Sequence, residues 1–176
     1  MFKQESIMKS IKIKPTSADK VQGRFVKYRK GDCLSIKCEN GKYLAALITD
    51  KFNKYYDFTL LQYHKSENPD VNIFNNGKFL GTRFGSWEEI EYAVDKRMIE
   101  CKYVDNNNNI NLVCTLKLID NIVKASYAYV NTINDLEEFY LSEIPIRIEK
   151  TNNADMYPEL AFVGRHLVDI SCLIDN

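Results

Sequence analysis

The chain has 176 residues, 45% of them hydrophobic, which is enough to bury a core without disulfide or metal staples. Its 24 basic and 24 acidic side chains leave no net charge to gather the whole molecule onto nucleic acid or an anionic membrane. Five cysteines at irregular spacing suit free thiols better than a disulfide framework, and the mixed-polarity start has no apolar run of signal-peptide type, so the expected location is the cytoplasm.

The balance is uneven along the chain. Residues 1–30 carry nine basic and two acidic side chains, whereas residues 120–176 carry four and ten. Residues 1–22, with Pro15, Thr16 and Ser17, read as a loosely ordered basic arm, and residues 23–176 read as one α+β domain with sub-lobes at 23–105 and 106–176. Leu34, Ile36 and Cys38 alternate with Ser35 and Lys37, which is the period of a half-buried strand. Asn40-Gly41 then predicts a tight type I′ hairpin turn into an apolar strand over 43–49. Cys38 shares the Leu34 and Ile36 face and Cys33 the opposite one, so the two thiols read as structural, with no metal site and no cofactor expected.

Further along, 55–63 has the aromatic and β-branched content of a strand, and 71–74 and 78–84 repeat the strand, turn, strand grammar around Asn75-Asn76-Gly77. Ser86 with Glu89 forms a capping-box pattern that predicts a helix over 87–97, followed by a strand over 98–104. Ile110, Leu112, Cys114, Leu116 and Leu118 alternate as a strand, and 122–130 is expected to pair back on it as a hairpin. A second capping pattern, Asn134 with Glu137, predicts a short helix over 135–142, after which Pro145 releases 144–149 into a strand. Trp87-Glu88-Glu89-Ile90 and Leu136-Glu137-Glu138-Phe139 look alike as helix openings, but the lengths between them differ greatly and ordinary α+β grammar, rather than duplication, is the expected reason. The expected fold is a mainly antiparallel, strongly twisted sheet built from hairpins with two short helices, in a barrel-like or two-lobed arrangement.

No phosphate loop, dinucleotide motif or metal-ligand spacing occurs. His64 and His166 are the only histidines, and an enzyme built on His166 with a cysteine or carboxylate would need a third, orienting group that the sequence does not identify. A nucleic-acid module using Lys9, Lys12, Lys14, Lys20, Arg24, Lys27, Arg29 and Lys30 is the alternative from a different class. Tyrosines are abundant, and Tyr55, Tyr56, Tyr63, Tyr127, Tyr129 and Tyr140 are the ones whose exposure matters for binding.

Lys30-Gly31-Asp32, Leu34, Ile36, Gly41-Lys42-Tyr43 and the apolar 44–48 run resemble the opening hairpin of bacterial immunity protein family 26, over about residues 28–48. The resemblance implies a non-catalytic protein that binds and neutralises a toxin. Acidic and aromatic side chains are the candidate contacts: Glu88, Glu89, Glu91, Glu137, Glu138 and Tyr140, with Tyr55 and Tyr56.

Overall fold

The computed structural model describes residues 20–21, 24–86, 89–153 and 162–176. Two short strands, β1 (Lys20–Val21) and β2 (Arg24–Phe25), pair with each other; the rest of the basic arm lies outside the described residues. The remaining strands are β3 (Asp32–Lys37), β4 (Tyr43–Phe52), β5 (Tyr55–Lys65), β6 (Lys78–Ser86), β7 (Glu89–Glu100), β8 (Ile110–Thr115), β9 (Lys124–Tyr129) and β10 (Phe162–Asp169). They form one open sheet in the order β10-β6-β7-β5-β4-β3-β8, with β9 added beside β7. Every pairing is antiparallel except β7–β9. The sheet does not close, so the barrel-like alternative is not what the chain adopts. Because β8 joins β3 and β9 joins β7, the two expected sub-lobes share this one sheet.

Both faces of the sheet are covered. Leu34, Ile36, Cys38, Leu44, Phe58 and Leu60 face helix α3 (Ile133–Asn152) and the short helix α2 (Cys101–Asp105) in one cluster. Cys33, Ala45, Leu47, Leu61 and Phe79 face helix α1 (Val71–Asn76) and the chain end around Ile170 and Leu173 in the other. The expected separation of the two cysteines onto opposite faces therefore holds. Strands buried on both sides show near-continuous apolar runs, which is why β4 does not alternate.

The hairpin between β3 and β4 differs in detail from a type I′ turn. The Gly41 N–H donates to the Cys38 carbonyl (3.1 Å), the Cys38 N–H donates to the Lys42 carbonyl (2.8 Å), and only Gly41 has positive φ, at 81°. One left-handed residue rather than two marks a bulged turn. Just before β3, Asp32 accepts from the Arg29 N–H (2.8 Å) and from the Thr115 hydroxyl (2.7 Å), and Gly31 lies against the Leu116 carbonyl with φ of 94°. The Lys30-Gly31-Asp32 stretch thus ties the start of β3 to the end of β8.

Several local expectations are overridden. Residues 71–76 are helical because Asp70 caps the Ile73 N–H (3.2 Å). The helix expected over 87–97 is instead β7: Ser86 pairs directly with Glu89 across a hairpin, and Ala93, Val94 and Asp95 are buried on both faces. The 98–104 strand stops at Glu100 and turns into α2. Residues 124–129 do not fold back on β8 but run parallel to β7. Finally, α3 begins two residues earlier than expected, with Thr132 and Asp135 as its capping box, and it continues through Pro145 to Asn152. With the 87–97 helix gone, the apparent duplication has no structural counterpart.

What holds α3 past Pro145 is Arg147. Its guanidinium is buried against the sheet, pairs with Asp95 (2.7 Å) and Glu143 (2.9 Å), and donates to the carbonyls of Gly81 (2.6 Å) and His166 (3.2 Å). Strands β6, β7 and β10 are thereby bound to one helix.

Candidate functional site

Two places concentrate chemistry. The first lies where the β3–β4 hairpin, the end of β5 and the second turn of α3 meet. His64 Nε2 is 2.6 Å from Glu137 Oε1, and the Asn40 side-chain amide donates to the same oxygen (2.8 Å). One ligand atom from each of Cys38, His64 and Glu137 lies within 4.8 Å of the other two. Tyr140, one turn further along α3, packs its ring 5.6 Å from that of His64. Burial and the nearby Glu137 carboxylate push the Cys38 thiol up to about 12, so it is a protonated thiol rather than a nucleophile. Burial acts against the Glu137 carboxylate, but hydrogen bonds from His64 and Asn40 outweigh it and hold its pKa below the usual range.

The start of α3 decides how Glu137 is used. With Asn134 as N-cap, Glu137 would be consumed in its own helix start. With Thr132 as N-cap, Asp135 takes that role and Glu137 reaches across to His64. Among the described residues this is the one group of three or more His, Cys, Asp or Glu side chains close enough to hold a metal ion.

The second place is the outer side of β9. Among the described residues β9 pairs with β7 alone, so its other edge presents unpaired backbone. Tyr127 is 68% exposed and Tyr129 59%. Lys96 stands over the Tyr127 ring (5.5 Å), Tyr129 meets Tyr55 edge to face at 4.9 Å, and Lys54 stands over Tyr55 (5.4 Å). Tyr55, Tyr129, Tyr103, Glu100, Val130 and Asn131 line a cleft of about 230 Å³ where the end of β9 meets β5 and β7. The result is a row of aromatic rings with a rim of lysines beside a free strand, which offers apolar area, polar handles and main-chain hydrogen bonds together.

The residues singled out from sequence are scattered. Glu138 and Glu91 are exposed, Tyr55 is half-buried at the cleft, Glu137 is turned inward, and Tyr56 and Tyr140 are core residues with no ring surface to offer. Glu88 lies outside the described residues, and Glu89 is placed only as part of β7. Tyr56 instead accepts from the Tyr28 N–H (3.1 Å) and donates to Asp105 (2.7 Å), an internal brace. From the basic stretch, Lys30 donates to the carbonyls of Ile119 (2.8 Å) and Asp120 (3.1 Å).

No protein-family model, curated protein or solved structure matches this chain. His166, the other histidine, is buried beside Arg83 and Lys150, and burial together with these cations lowers its pKa. Its Nδ1 contacts the Arg165 carbonyl (3.0 Å).

Proposed function

We propose that the protein is a non-catalytic binding protein of the toxin-immunity class, which neutralises a toxin by direct contact in the cytoplasm. The observation that carries the reading is the unpaired β9 edge with exposed Tyr127 and Tyr129. The occupant that fits it is an extended segment of the toxin adding as a strand beside β9. Main-chain bonds would supply affinity, and pockets between the tyrosines would supply specificity. The exposed carboxylates Glu91 and Glu138 would act at longer range, steering a basic partner without contributing much at contact. The resemblance at residues 28–48 supports the class, while those residues themselves serve the sheet rather than the partner.

The test is isothermal titration with the purified product of the neighbouring gene, followed by rescue of its toxicity in cells. Buried aromatic anchors at interfaces are typically worth 2 kcal/mol or more, so Tyr127→Ala and Tyr129→Ala together should weaken binding by at least about 30-fold. A complex indifferent to both substitutions would reject β9 as the surface. Binding of nucleic acid alone, lost as salt rises, would move the function to the basic arm.

A further inference from the structure

We propose that Cys38, His64 and Glu137 form a binding site for one zinc ion, with water as the fourth ligand. The donor set is a thiolate, an imidazole and a carboxylate, all of which zinc accepts in tetrahedral geometry. The site is independent of the β9 surface, and its failure would leave the binding function standing.

The spacing suits the ion. At ordinary zinc–ligand distances, neighbouring donors in a tetrahedron sit roughly 3.3–3.6 Å apart. The three donors lie within 4.8 Å of one another, and the closest pair, His64 and Glu137 at 2.6 Å, would need to open by roughly 0.7 Å to admit the metal. Each donor comes from a separate element with its own support. Cys38 is fixed by the two backbone bonds of the hairpin, His64 by the β4–β5 ladder, and Glu137 by the second turn of α3 and by Asn40. The site is also shielded: the side chains of His64 and Glu137 are 11% and 12% exposed, and Cys38 is buried.

An ion pair alone would explain His64 and Glu137 but not the thiol. The neighbours of Cys38 on its face, Leu34, Ile36 and Leu44, are aliphatic, and the thiol adds a third ligand atom beside the His64 and Glu137 pair. A cysteine nucleophile is the competing chemistry for the same trio, and it would need His64 free as a base, whereas the His64 Nε2 already faces Glu137 Oε1 at 2.6 Å. On binding, the Cys38 S–H proton passes to solvent and the sulfur bonds to zinc, so uptake releases that proton. The ion would clamp α3 onto the β3–β4 hairpin.

The experiment uses the full chain stripped with chelator, titrated with Zn²⁺ by calorimetry and with Co²⁺ by visible and near-ultraviolet absorption. The expected result is one ion per chain, a tetrahedral Co²⁺ spectrum with a thiolate charge-transfer band, and a higher Tm with Zn²⁺. Cys38→Ser should abolish that band, and Cys38→Ser or His64→Ala should weaken Zn²⁺ binding by more than about 100-fold, beyond the loss that an outer-sphere change causes. Cys172→Ser, at an exposed thiol outside the cluster, should leave both readings unchanged. Glu137→Gln preserves shape and carries the test if Cys38→Ser does not fold; it should keep the charge-transfer band but weaken Zn²⁺ binding. Absence of stoichiometric binding, or binding that these substitutions leave intact, would overturn the proposal.

Discussion

Replacing Arg147 by methionine would separate the helix from the sheet at its most buried ionic contact. The substitution removes the partner of Asp95, which is itself 1% exposed, and strips charged donors from the carbonyls of Gly81 and His166. Glu143 is less affected because it keeps Arg165 at 2.9 Å, and Asp95 keeps the Thr82 (2.8 Å) and Ser126 (3.0 Å) hydroxyls. Breaking one side of a buried pair costs about 3–5 kcal/mol, and the apolar volume of methionine returns part of the packing, so a loss of about 4 kcal/mol is expected. Against a typical total of about 5–15 kcal/mol that is a large fraction, and urea unfolding followed by circular dichroism should show a sharply lower midpoint. Adding Asp95→Asn removes the stranded charge, so the double variant should be more stable than Arg147→Met alone by about 2 kcal/mol. A single-variant loss under about 1 kcal/mol, or a double variant worse than the single, would refute the buried-pair reasoning.

Three further outcomes follow from local geometry. Gly31→Ala should destabilise the fold by more than about 2 kcal/mol in the same assay, because its positive φ is unfavourable for alanine and the new Cβ would sit 2.1 Å from the Leu116 carbonyl oxygen. Pro145→Ala restores a backbone N–H in the interior of α3 and should stabilise by about 1–3 kcal/mol, read as a rise in Tm. Glu137 has a folded pKa held below its unfolded value, so its contribution is present above the unfolded value and is lost as pH falls through the folded one. Glu137→Gln should therefore lower stability near neutrality and flatten the acid limb of the stability–pH curve, and an unchanged acid limb would contradict the assignment of its partners.

Strand signals of the first half were legible because they rest on short-range patterns. The β3–β4 hairpin and the separation of Cys33 from Cys38 follow from alternation and an Asn-Gly turn, and the strand at β5 from its aromatic and β-branched content, whereas 71–74 has the same strand grammar and folds as α1. The failures share a different cause. Residues 89–100 carry enough charge to pass for an amphipathic helix, and only their pairing with β5, β6 and β9 makes them a strand. Pro145 is an ordinary helix breaker, overruled by Arg147, whose partners Asp95, Gly81 and His166 are remote in sequence. The Cys38, His64 and Glu137 cluster was out of reach for the same reason, since its members are joined only by the packing of α3 on the hairpin and β5. Tyr127 and Tyr129 belong to an expected binding class, but their exposure depends on β9 choosing β7 rather than β8.

Addition of a partner strand beside β9 would be seen by amide hydrogen exchange on the complex with the neighbouring gene's product. New protection at residues 124–129, with Tyr127→Ala and Tyr129→Ala removing it, is the predicted result. Protection confined to other parts of the chain, with β9 exchanging as it does in the free protein, would exclude β9 as the docking edge.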